Sequence, residues 1–196
     1  MHSGMNITLD NEAYKFKSGI NIYESLGTEK NSDRFSFGLP YYNYAKTPLM
    51  FKYGQINFTS NGSNNLNDTN NLVTEISNDI AYENYDLISK RGIKNNFNLY
   101  FKNLNIVAKN DKVYRSSPQY KLSNIMEAST SLPLYRLDDE NTNYIIPKLS
   151  LRLNPTNMSN KAKSNRNIDV DNIFSIDRLG LGNTFEEGQS LTLGVD

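Results

Sequence analysis

Side chains able to do chemistry are few in this sequence and poorly assembled. Asp79 and Glu83 stand four residues apart, and Asp138, Asp139 and Glu140 follow one another. Paired carboxylates serve glycoside hydrolysis, and clustered ones hold calcium. No EF-hand or repeated calcium-loop spacing accompanies these, so acidic loops without a site are the expectation. His2 has no partner motif, and the absence of cysteine excludes thiolate zinc sites, CxxC redox chemistry and disulfides within this stretch. No nucleophile–base pair, metal constellation or phosphate loop appears, so neither an enzyme nor a cofactor is expected.

Two basic positions invite closer reading. Lys148 and Arg152 share one parity of an alternating run. They suit charge-assisted contacts to phosphate, or a solvated wall, and the wall is the preferred reading. Asp177 and Arg178 follow the apolar pair Ile173-Phe174 inside a long polar segment. Either this is a solvated loop, or it folds inward and Arg178 pairs with a carboxylate such as Glu186 or Glu187, because a buried charge needs a partner. The 21 basic and 21 acidic residues balance, and no basic block tracks a phosphate backbone, so nucleic acid is not an expected partner.

The elements that would carry these side chains read as strands. At 196 residues the chain can bury a sizeable core, yet only 37% of it is hydrophobic, mean hydropathy is -0.62 and Asn is the commonest residue. An aromatic share of 11%, mostly Tyr, argues against disorder. Helical periodicity is missing and alternation is frequent. Met5, Ile7 and Leu9 alternate with polar residues, as do Tyr14, Phe16, Ile20 and Ile22, broken by Ser18. Phe35, Phe37, Leu39 and Tyr41 form another such set. Leu72, Thr74, Ile76, Asn78, Ile80 and Tyr82 share one face.

After a turn at Ser89 to Gly92, Phe97, Leu99 and Phe101 alternate with Asn96, Asn98 and Lys102. The parity then passes to Leu104, Ile106 and Ala108, which predicts a β-bulge or tight turn. Asn110-Asp111 reads as a turn, Tyr120 to Leu134 as a strand face, and residues 138–141 as a polar turn. Pro147, Leu149, Leu151 and Leu153 oppose Lys148, Ser150 and Arg152, and Leu191, Leu193 and Val195 begin a last strand. Asn-rich loops are expected around 61–71 and 154–172. The fold class is all-β, an antiparallel meander. Strands of ~9–11 residues with one apolar and one polar face suit part of a large transmembrane β-barrel, and alternation alone suits a soluble sheet as well.

Four segments carry a resemblance. They are Ser32-Asp33-Arg34 to Leu39-Pro40-Tyr41-Tyr42; Ser131-Leu132-Pro133-Leu134-Tyr135; Ile146-Pro147-Lys148-Leu149; and Asp171-Asn172-Ile173-Phe174 to Asp177-Arg178, followed by Glu187-Gly188 and Leu191-Thr192-Leu193-Gly194. In order and approximate spacing they resemble the middle of the barrel of the lipopolysaccharide-assembly outer-membrane family (LptD/OstA).

The resemblance implies a non-catalytic translocon that inserts lipopolysaccharide into the outer leaflet of a Gram-negative cell outer membrane. It implies a plug lipoprotein in the lumen and a periplasmic lipopolysaccharide-bridge protein as partners, the latter through a jellyroll domain outside this stretch. Residues 1–196 are then a single partial domain, an internal fragment lacking the N-terminal periplasmic domain and the closing strands. No signal peptide opens the sequence and no apolar stretch reaches the ~20 residues of a membrane helix, which fits an internal fragment.

Asp171, Asn172, Phe174, Asp177, Arg178, Glu187 and Gly188 become a lumenal loop. Pro40 is expected to end a strand in a turn, Pro133 to lie in a strand, and Pro147 to interrupt one. The alternatives are a soluble extracellular β-sandwich or adhesin-like module, and another outer-membrane porin or receptor barrel.

Overall fold

A computed structural model describes residues 1–25, 34–68, 70–137, 142–155, 167–180 and 186–196. Among them there is no helix. The strands are β1 (His2–Asp10), β2 (Tyr14–Glu24), β3 (Phe35–Phe51), β4 (Gly54–Asn67), β5 (Asn71–Asn84), β6 (Leu87–Ile88), β7 (Lys94–Lys109), β8 (Gln119–Ser131), β9 (Leu134–Leu137), β10 (Thr142–Ile145), β11 (Pro147–Asn154) and β12 (Gly188–Val195). The fold is an antiparallel meander in the order β1-β2-β3-β4-β5-β7-β8-β11-β12, with β6 pairing β7 and a separate β9–β10 hairpin. β1 and β12 end the order and do not pair with each other among the described residues.

Turn chemistry sets the register locally. Asn11 Oδ1 accepts from the Ala13 and Tyr14 amides at 2.9 Å each, closing the β1–β2 turn. Ser89 Oγ accepts from the Ile93 amide at 3.1 Å, and Gly92 takes φ +80, which a side chain would resist. Asn110 sits at φ +57, and Asp111 Oδ1 accepts from Val113 and Tyr114 at 2.8 Å each. Asn and Asp favour such turns because their side chains bond the backbone two or three residues on.

Few hydrophobic side chains are buried. Among the described residues only Leu104, Ile106, Ala108 and Ile125 are buried hydrophobics, whereas Ser60, Asn84, Ser123, Ser150, Arg152, Asn154, Asn172, Arg178 and Thr192 are buried polar ones. The chain forms two compact units. The first holds Met1–Pro48, Asn57–Ile80 and Lys102–Lys121. Met5, Ile7, Leu9, Ile20, Leu72 and Ile76 are exposed on it, and β1 is exposed at every position. Rings ladder across neighbouring strands: Tyr14 on Tyr44 at 5.7 Å, Phe16 on Tyr42 at 6.5 Å and Tyr44 on Phe58 at 6.0 Å. The second unit holds Leu49–Ile56, Ala81–Phe101 and Leu122–Asp196. Phe97, Leu99, Phe101, Leu151, Leu153, Leu191, Leu193 and Val195 are exposed on it.

Several expectations are corrected. β7 runs as one strand through residue 102, with no turn there and one burial parity throughout. The backbone parity is constant and the chemistry changes sides: Asn96, Asn98 and Lys102 share their parity with the buried Leu104, Ile106 and Ala108. The 61–71 segment is not a loop but the end of β4 and the start of β5, around a turn with Asp68 at φ +49. Cross-strand side-chain bonds make a polar strand tenable there, as in Thr74 Oγ1 to Asn64 Oδ1 at 2.6 Å.

Pro40 does not end its strand. β3 passes through it, and the register against β2 jumps between Gly19 and Asn21, which face Tyr41 and Gly38. Leu39 and Pro40 together stand against Ile20, and this one extra residue forms a bulge, where a residue without an N–H costs no ladder bond. The bulge also moves Tyr42 and Tyr44, rather than Tyr41, onto the face of Phe16. Pro133 lies between β8 and β9 rather than inside one strand, and Pro147 is the first residue of β11 rather than an interruption. At a strand start proline's missing donor is tolerated. β3, β4, β5 and β7, at 17, 14, 14 and 16 residues, exceed the expected length. The polar turn at 138–141 and the stretch 156–166 lie outside the described residues.

Candidate functional site

The second unit gathers charged side chains on the covered parity of β7, β8 and β11, beside the polar Ser190 and Thr192 of β12. Register makes the cluster: Arg152 of β11 stands opposite Glu127 of β8 on one side and Ser190 of β12 on the other. Ser150 stands likewise between Ser129 and Thr192. Glu127 accepts from Asn98 Nδ2 and from Ser150 Oγ, each at 3.3 Å.

Residues 167–180 form a strap over β11 and β12. Its first turn is stitched by Asn172, which is 1% exposed. Asn172 Oδ1 accepts from the Asp169 amide at 3.1 Å and its Nδ2 donates to Asn167 O at 2.9 Å. Asp169 Oδ1 in return accepts from the Asp171 and Asn172 amides at 3.0 and 3.1 Å. A short polar side chain is needed to satisfy a covered turn of this kind. Phe174 then seats on Gly194 of β12, where an added Cβ would come within 2.7 Å of the ring. Lys148 Nζ lies 5.7 Å from the centre of the same ring, a cation–π distance.

At the far end of the strap Arg178, 6% exposed, grips Glu186. Its Nε donates to Oε2 at 2.9 Å and its Nη2 to Oε1 at 2.5 Å. Arg152, 5% exposed, reaches the same residue: Nη1 lies 3.3 Å from Oε2, and Nη2 donates to the Glu186 backbone oxygen at 3.2 Å. Asn154 Nδ2 donates to that oxygen at 2.9 Å. Two buried guanidiniums thus share one carboxylate, a charge-assisted clamp between β11 and the strap.

Arg178 therefore pairs with the first of the two carboxylates expected for it. Asp171 is exposed, Asp177 half-buried and Glu187 exposed. Gly188 opens β12 at φ +93, opposite Asn154. Arg152 is corrected from solvated wall to buried clamp, while Lys148 pairs with Asp196. Glu127, Asn154 and Gly194 escaped sequence reasoning as site residues. The alternation places Glu127 and Arg152 on polar parities, but only the β8–β11 register sets them opposite each other.

Beside the clamp is a cleft of about 490 Å³ lined by residues including Asn96, Asn98, Glu127, Ser131 and Phe174. Asn96 Oδ1 and Asn98 Oδ1 are covered there and have no hydrogen-bond partner. Comparison with protein-family models, curated proteins and solved structures finds no match. The arrangement offers amide and hydroxyl groups along a polar wall and fixes a strap against it.

Among the described residues no group of three or more His, Cys, Asp and Glu could hold a metal. Asp79 instead bridges Lys102 at 3.4 Å, and Glu83 accepts from Gln55 at 3.1 Å and from Tyr100 at 3.4 Å. His2 stacks on Tyr23 at 4.7 Å and lies 3.2 Å from Asn21 Oδ1.

Proposed function

We propose that the chain is a segment of a transmembrane β-barrel of the Gram-negative outer membrane, and that the barrel passes lipopolysaccharide to the outer leaflet without covalent chemistry. The observation that carries the membrane reading is the inverted burial. In the second unit β7, β11 and β12 expose Phe97, Leu99, Phe101, Leu151, Leu153, Leu191 and Leu193 and cover Ser150, Arg152, Asn154 and Thr192. Water penalises that arrangement, while a bilayer favours it. A barrel is the closed form that satisfies every strand edge in lipid, and further strands would close this one. No described helix is long and apolar enough to cross a membrane, which says nothing about strands.

Lipopolysaccharide as cargo rests on the resemblance of the ordered motifs, and so do the plug lipoprotein and the periplasmic bridge protein as partners. The polar wall of Asn, Ser and Thr side chains in the second unit suits a sugar-bearing cargo, and the strap suits a loop folded into the lumen.

Two measurements test this reading. The complete protein should fractionate with the outer membrane, and its depletion should strip lipopolysaccharide from the cell surface. Outer-membrane location with normal surface lipopolysaccharide would leave a porin or receptor barrel. A protein soluble without detergent would instead be the adhesin-like module.

A further inference from the structure

Two adjacent connections of the second unit combine exposed apolar side chains with a concentration of cations. They are tied together: the Tyr85 amide donates to Tyr53 O at 2.9 Å, and Tyr85 Oη donates to Met50 Sδ at 3.6 Å. Met50, Phe51 and Tyr53 are 66%, 53% and 56% exposed on the first connection, and Ile88 is 65% exposed on the second. Across residues 49–56 and 85–94 the charges are Lys52, Lys90, Arg91 and Lys94 against Asp86, a net of +3 in a chain whose total is zero. Asp86 sits 3.5 Å from Lys94, leaving the excess on Lys52, Lys90 and Arg91. Lys52 is exposed and holds its ammonium 5.0 Å from the centre of the Tyr53 ring.

We infer that this edge is a docking surface for anionic phospholipid headgroups, with the apolar side chains entering the acyl boundary and the three cations meeting phosphate. Charge complementarity selects that occupant. An amphipathic edge with a basic rim binds anionic interfaces by apolar burial plus Coulomb attraction. A purely apolar contact with a protein would leave the rim unpaired. The inference rests on the membrane reading above and adds to it a preference for lipid charge.

The test is flotation of the detergent-purified full chain with two kinds of vesicle, pure phosphatidylcholine and phosphatidylcholine carrying one-third phosphatidylglycerol. Wild type should enter both, with association to the anionic vesicles stronger by about tenfold or more at low salt. Each cation near an anionic surface contributes about fivefold, and the preference should fade at high ionic strength. Lys52→Gln, Lys90→Gln and Arg91→Gln combined should abolish the preference and leave entry into phosphatidylcholine intact. The salt series on wild type provides an independent readout should that variant fold poorly. Equal entry of wild type into both vesicles overturns the inference and spares the membrane reading. Entry into neither overturns both.

Discussion

Arg178 and Glu186 make a two-pronged contact in the second unit: Nε and Nη2 of the guanidinium donate to the two carboxylate oxygens at 2.9 and 2.5 Å. Arg152 approaches the same carboxylate from β11, with Nη1 3.3 Å from Oε2. One acidic side chain therefore joins the strap to the sheet. Removing it leaves two guanidiniums, 5% and 6% exposed, without that counter-charge.

Glu186→Gln should accordingly loosen the strap. Breaking one partner out of a buried ion pair costs about 3–5 kcal/mol, and the partial exposure of Glu186 places this case at the lower end. Limited proteolysis within residues 167–180 is the readout. Arg178→Lys should be intermediate, because an ammonium does not reproduce the two-pronged geometry. Equal protection in wild type and E186Q would remove the clamp from the account.

Gly194→Ala should dislodge Phe174, since the new Cβ would sit 2.7 Å from the ring. Overpacking of this kind costs about 1–3 kcal/mol. In a Phe174→Ala background the same change should be nearly silent, giving a non-additive double-mutant cycle in urea unfolding. Additive effects would mean that the ring and the glycine do not meet.

Leu193→Arg and Leu151→Arg test the bilayer directly. These side chains are 75% and 50% exposed, so in water either change should shift stability by only about 0.5 kcal/mol. Facing lipid near the midplane, each should cost about 2–4 kcal/mol. Unfolding from lipid vesicles, read by tryptophan-free far-UV circular dichroism, separates the two outcomes, and a neutral effect would sink the barrel reading.

A row of polar side chains crosses the otherwise apolar face of the first unit. Tyr42 Oη lies 3.1 Å from Ser60 Oγ, Ser60 Oγ donates to Asn78 Oδ1 at 2.7 Å, and Asn78 Nδ2 donates to Asn103 Oδ1 at 3.1 Å. Asn78→Ala should cost about 1 kcal/mol per lost bond, and a cycle with Asn103→Ala should show coupling. Independent effects would mean the row is coincidental.

The loop after β7 should respond to acid. Hydrogen bonds from the Tyr114 and Val113 amides hold the Asp111 carboxyl below its ordinary value of 3.8, with a further bond from Asn71 Nδ2 at 3.3 Å. A folded pKa below the unfolded one means the contribution is complete above about pH 4 and is lost as pH falls through the folded value. Hydrogen exchange at Val113 and Tyr114 should accelerate below that point in wild type. Asp111→Asn keeps an acceptor and loses the titration, so its exchange profile should carry no such step.

Strand chemistry was legible from local pattern. The exposed parity of β11, the turn glycine at Gly92 and the Asp111 turn follow from alternation and turn residues, which depend on neighbours in sequence. So did the need of Arg178 for a carboxylate, because an isolated charge in a covered site is costly anywhere. Apolar content alone misled at β7, where Leu104, Ile106 and Ala108 suggested a change of backbone parity. The strand kept its parity and buried those residues on the side that Asn96, Asn98 and Lys102 occupy further back.

By itself, then, the sequence determined an all-β meander with one apolar and one polar side to most strands, since alternation at period two is a property of each strand alone. Tertiary structure decided the rest. The β8–β11 register set Glu127 opposite Arg152, the bulge at Leu39-Pro40 put Tyr42 on the face of Phe16, and strap packing brought Phe174 to Gly194 and Glu186 between two arginines. Those contacts join residues far apart in the chain, and cross-strand register depends on both strands and their turn together, so no single stretch of sequence encodes it.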